Sequence, residues 1–137
     1  MRLIGFNFGK ISIEKTQDKL DGLKITTNID ISSLEEIKQD IFKSNESILR
    51  VKFSYNVNYE PSLAKLELKG DLVVSLDPIL LKNALKEWKD KKIPTELKTP
   101  LFNLILRKST LKALELEDEL NLPLHIPLPQ IKKVKKG

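Results

Sequence analysis

Two runs of strict alternation, back to back around Glu60-Pro61-Ser62, dominate the hydrophobic pattern of the chain. Leu49, Val51, Phe53, Tyr55, Val57 and Tyr59 alternate with Arg50, Lys52, Ser54, Asn56, Asn58 and Glu60. That period of two belongs to a strand with one dry and one wet face. Ala64, Leu66, Leu68, Leu72 and Val74 continue it against Lys65, Glu67, Lys69 and Asp71, with Gly70 as a bulge or a point of close approach. Upstream, Ile4, Phe6 and Phe8 share one parity and Ile11 and Ile13 the other, so a first strand with a bulge at Gly9 is expected. Leu23, Ile25, Thr27, Ile29 and Ile31 mark a second strand. Ser33-Leu34-Glu35-Glu36 has the form of a helix capping box, and Leu34, Ile37 and Ile41 would share a helical face, which predicts a short helix or ordered excursion before the third strand.

Beyond Val74 the period changes to 3.6. Asp77 can cap a helix that has Pro78 in its first turn and Leu81, Ala84, Leu85 and Trp88 along one stripe, with Lys82, Lys86, Glu87, Lys89 and Asp90 facing water. A second helix is expected from Thr99-Pro100, or from Thr95 a turn earlier, through Leu101, Leu104, Ile105, Leu111 and Leu114 towards Leu120, its apolar face interrupted by Arg107 and Lys108. The exit Leu122-Pro123-Leu124-His125-Ile126-Pro127-Leu128-Pro129 cannot continue a helix or join a central strand and reads as extended, polyproline-like chain.

Composition adds three constraints. At 137 residues with 40% hydrophobic and 31% charged positions, the chain is an ordinary globular domain, expected over 1–131 with a basic tail over 132–137. The net charge of +5 is concentrated: Lys132, Lys133, Lys135 and Lys136 are four of the 24 basic residues, and the other 20 face 19 acidic ones. The tail therefore reads first as a disordered, solubilising end, with an electrostatic contact to RNA, ribosome or membrane as the alternative; nucleic acid is not expected to bind except through those lysines. The absence of cysteine fits a cytoplasmic chain, and the interrupted apolar run Met1–Phe8 fits neither a signal peptide nor a membrane insertion.

Candidate chemistry is sparse. His125 is the single histidine, so a catalytic triad would have to be built on it, and a zinc site would need carboxylates for all its other ligands; it reads as a satisfied loop histidine. The five glycines never cluster into a phosphate-binding loop. Glu115, Glu117, Asp118 and Glu119 lack calcium-loop spacing and read as a solvated helix face, and Trp88 reads as core. A non-enzyme with no cofactor is expected.

Four strands, a helix, a second long helix and an apolar proline-rich exit resemble the SecB-type preprotein-export chaperones, with Leu122 to Ile131 similar to the short Pro-rich segment that closes that family's last helix. The resemblance implies an α+β fold, a four-stranded antiparallel β-sheet followed by two C-terminal helices packed on one face. It also implies an ATP-independent holdase that binds unfolded polypeptide or preprotein through an apolar groove, assembled as a homodimer or homotetramer. The connection Thr16–Gly22 is shorter than the family's crossover loop and lacks its aromatics, and Ser32–Ser47 is longer. The candidate peptide-binding residues are Phe53, Tyr55, Val57 and Tyr59 from strand three and Leu122, Leu124, Ile126 and Leu128 from the exit; the same positions would serve as core or subunit interface. The alternative function is a structural or assembly protein, anchored to ribosome or RNA by the lysine tail.

Overall fold

The structure is a computed structural model that describes residues 1–16, 23–38 and 47–131. Residues 17–22, residues 39–46 with Ile41, and the lysine tail lie outside the described residues. Four strands, β1 (Arg2–Lys15), β2 (Lys24–Ile37), β3 (Ser47–Glu60) and β4 (Ala64–Leu76), are followed by α1 (Pro78–Trp88) and α2 (Thr95–Glu119). All pairs are antiparallel in the order β1-β4-β3-β2. The helices cover the face that carries the odd-numbered β3 residues, and the alternation of β3 and β4 is realised without a break from Ser47 opposite Leu76 to Tyr59 opposite Ala64.

Bulges decide where the other two strands point. β1 shifts register between Phe8 and Lys10, so Phe6, Phe8 and Ile13 all pack on the helix-covered face, as the parity change at Gly9 suggests, while Ile11, opposite Leu68 on the same face, stays 47% exposed. A second shift between Leu3 and Gly5 leaves Ile4 out of the ladder and exposed. β2 corrects the sequence reading: Ser33-Leu34-Glu35-Glu36 is not a helix cap. A register shift between Ile31 and Ser33 absorbs one residue, and the strand runs on to Ile37 with Leu34 buried opposite Val51. Pairing with the regular β3 strand outweighs the local capping preference, because a bulge returns Leu34 to the core face.

Gly70 is a close-approach point rather than a bulge. A Cβ there would lie 2.5 Å from the Asn7 carbonyl oxygen and 2.8 Å from Phe53 Cζ. Over it, Phe53 meets Phe6 in a tilted contact at 5.3 Å and Phe8 edge-to-face at 6.3 Å between ring centroids. The opposite sheet face is polar; there Lys10 bonds Glu67 at 2.7 Å and, with Lys69 and Lys65, holds that carboxyl below its ordinary range.

Asp77 caps α1 as its sequence suggests, accepting from the Ile79 N–H at 2.8 Å. α2 begins at Thr95, the earlier of its two expected starts, and carries Pro100 inside. Its buried residues, Leu97, Leu101, Ile105, Ser109, Ala113 and Glu117, recur every four positions. Each step of four turns the stripe by roughly 40°, so the buried line spirals round the helix. Leu111, expected on the apolar face, is consequently 62% exposed.

Candidate functional site

The second half of α2 buries small or polar side chains, Ser109, Ala113 and Glu117, where the two tyrosines of β3 rise from the sheet. A buried phenol needs a partner for its hydroxyl. Tyr59 lies 2.6 Å from Glu117 Oε2 and 2.6 Å from the Pro123 carbonyl. Tyr55 lies 3.3 Å from Thr110 Oγ1 and 2.6 Å from His125 Nε2. His125 Nδ1 is 2.8 Å from Glu117 Oε1, and the His125 backbone N–H donates to the same oxygen at 3.3 Å. A carboxylate only accepts, so the geometry assigns the hydrogen to Nδ1, and in the neutral ring Nε2 accepts from Tyr55.

This cluster is sealed: the side chains of His125 and Glu117 are 2% and 0% exposed. Burial first, and then the Glu117 carboxylate, hold the Tyr59 phenol far above the usual tyrosine range. Tyr55 is also raised, by burial first, with Glu117 adding to it and the Thr110 hydrogen bond opposing it.

The cluster is presented by the way α2 ends. Asn121 adopts φ 54°, the Leu122 N–H donates to the Glu117 carbonyl at 2.9 Å and the Asn121 N–H to the Asp118 carbonyl at 3.2 Å. Both bonds belong to a Schellman motif, whose residue after the left-handed position turns inward. Leu122 accordingly joins Tyr55, Val57, Tyr59, Leu63 and Ala113 in the core. Lys15 Nζ reaches the Leu120 carbonyl at 3.4 Å. The chain then crosses the end of β3 as a segment without regular structure.

The eight sequence candidates therefore divide. Phe53, Tyr55, Val57 and Tyr59 are core, closed off by α2 and the exit segment, because the dry face of an interior strand is where the helices pack. Leu122 is buried, Leu124 is half-buried, and Ile126 and Leu128 are 41% and 52% exposed. Glu117 is not part of a solvated helix face: it is the carboxylate that joins His125 to Tyr59. Sequence reasoning missed Glu117 and Thr110 as partners. The available signal was the pair of same-parity tyrosines, whose buried hydroxyls required polar groups from another element.

A second accessible surface lies beside β2, at the sheet edge. A groove of about 670 Å³ is lined by Ile31 and Ser32 of β2, Trp88 and Ile93, and Lys98 and Phe102 of α2. Lys91 sits 4.6 Å from the centroid of the half-buried Trp88 ring, which packs against the core. Among the described residues no group of three or more His, Cys, Asp or Glu side chains could hold a metal ion, and no helix is long and apolar enough to cross a membrane.

No protein-family model and no curated protein sequence matches this chain. Among solved structures, the fold is similar to that of the Mycobacterium tuberculosis Rv1957 SecB-like chaperone in complex with a ChAD peptide from the Rv1956 HigA1 antitoxin. The TM-score is 0.59 at 12% identity, over 96% of this chain and 89% of that one. The four-stranded antiparallel sheet followed by two helices is thus a SecB-like fold.

Proposed function

We propose that this protein is an ATP-independent chaperone, a holdase that takes up unfolded or preprotein chains on apolar surface left open beside a closed core. The observation that carries the reading is the exit segment: on a fold like that of a peptide-bound SecB-like chaperone, apolar side chains persist beyond the last helix, at Ile126 and Leu128, where no core requires them. A holdase needs accessible apolar surface that tolerates many sequences, rimmed by charge to keep the complex soluble. The groove beside β2 combines Ile31, Trp88, Ile93 and Phe102 with charges of both signs, Asp30, Glu87, Lys91, Lys92 and Lys98, in its lining. Edge strand β2 also offers a backbone against which an extended client could pair. The sequence holds no nucleotide-binding loop, so the work falls to contact alone.

The test is light scattering from a thermally unfolded enzyme with and without this protein, in the absence of nucleotide. Suppression is expected near stoichiometric protein and should weaken in a variant carrying Ile126→Ser and Leu128→Ser, whose fold is expected to persist because both residues are exposed. Wild-type protein that fails to suppress aggregation even in molar excess would overturn the proposal.

A further inference from the structure

We infer that Leu122–His125 is a strap, fastened by the Tyr55–His125–Glu117–Tyr59 relay, which occupies in cis the aromatic end of β3 and must lift before a client can reach that face. The fastening is independent of the chaperone reading; the consequence for clients rests on it.

Three observations point to a latch rather than ordinary core. The strap has no strand or helix to hold it, so its backbone gains no ladder of hydrogen bonds. Past the Leu122 N–H, which closes the helix end on the Glu117 carbonyl, its polar anchors converge on three side chains of other elements: Pro123 on Tyr59, the His125 ring on Tyr55 and Glu117, and the His125 N–H on Glu117. Immediately past His125 the fastening stops, and residues 126–131 are exposed. The segment is also shaped like a client: a short extended Leu-Pro-Leu stretch that places one leucine in the core and covers two aromatic rings. Removing it would uncover Tyr55, Tyr59 and Leu122's place among Val57, Leu63 and Ala113, while the larger cluster beneath α1 and the first half of α2 stays packed.

The relay ties the strap's position to a few bonds that single substitutions can remove. Tyr55→Phe deletes the partner of His125 Nε2 and keeps the ring in the core. His125→Ala deletes both ring bonds. Glu117→Gln keeps one oxygen to accept from Nδ1 and an amide to donate to Tyr59, so it should leave the strap closed.

The experiment is hydrogen exchange read by mass spectrometry over Asn121–Gln130, combined with binding of a fluorescent, permanently unfolded polypeptide. His125→Ala is expected to speed exchange in that segment on the order of tenfold or more, Tyr55→Phe less, and Glu117→Gln little, with the β3 and β4 amides unchanged in all three. The two opened variants are expected to bind the polypeptide more tightly than wild type. Exchange equal to wild type in both His125→Ala and Tyr55→Phe would overturn the latch, since apolar contact would then hold the strap unaided. Opened variants that bind no better than a wild type that does bind would overturn cis occupancy. If exchange responds as expected but no form binds, the latch stands and the chaperone reading with its cis occupancy falls.

Discussion

Truncating Glu117 to alanine removes the acceptor for the Tyr59 hydroxyl, the His125 Nδ1–H and the His125 backbone N–H in one step. Tyr59 retains the Pro123 carbonyl, so its loss is partial. The two His125 donors keep nothing. A buried donor left unpaired costs about 1–3 kcal/mol, so the two His125 donors are expected to cost about 2–6 kcal/mol together. For a chain of 137 residues the unfolding entropy is about 0.3 kcal/mol/K, and this cost lowers Tm by roughly 7–21 °C. Glu117→Gln separates hydrogen bonding from charge: it keeps the shape, a donor and an acceptor, and is expected to stay within about 1 kcal/mol of wild type. Urea unfolding followed by circular dichroism gives both differences directly. An alanine variant within the error of wild type would show that the cluster is not bonded as described. A glutamine variant as unstable as alanine would show that charge, not the bonding pattern, stabilises it.

Three further outcomes follow from the same geometry. Tyr55 and Tyr59 are the only tyrosines, and both hold their protons more tightly folded than unfolded, so the stability they contribute is intact below pH 10.0 and is lost as pH rises above it; near-ultraviolet titration at pH 10 should show less phenolate in the folded protein than in the unfolded chain, and equal titration there would contradict their burial against Glu117. Gly70→Ala places a methyl against the Asn7 backbone and the Phe53 ring, and is expected to destabilise by about 1–3 kcal/mol in denaturant unfolding; a neutral effect would mean that β1 can yield at that point. Edge strand β1 exposes Leu3, Ile4 and Ile11, so self-association is expected in sedimentation, with Ile4→Lys and Ile11→Lys together shifting the protein towards monomer; a monomeric wild type at physiological concentration would count against it.

What the sequence disclosed follows from where one rule acted alone. β3 and β4 alternate without interruption, pair in register and were legible residue by residue. Asp77-Pro78 is a local signal and needs nothing distant to work. Leu34 was misread because capping-box chemistry and a bulged strand make the same demand on Ser33-Leu34-Glu35-Glu36, and only pairing with Val51 decides between them. α2 was legible as a helix, but not in the face it buries. A stripe that spirals and ends in Ser109, Ala113 and Glu117 carries little hydrophobic periodicity to read. The Tyr–His–Glu cluster was the least legible part, since it joins residues 58 and 70 positions apart through a turn, and spacing alone contains no trace of it. Exposure was legible only in part: Ile126 and Leu128 are accessible after the prolines, whereas the β3 residues obey the same alternation whether they meet a helix or solvent.

The measurement that bears most directly on the chaperone account is the fluorescence anisotropy of a labelled, permanently unfolded polypeptide titrated with this protein in nucleotide-free buffer, with the same polypeptide unlabelled as competitor. A saturable rise that the competitor reverses, and that a folded protein of equal charge does not, is the result the account predicts. A flat titration across the concentration range in which the protein remains soluble would contradict it.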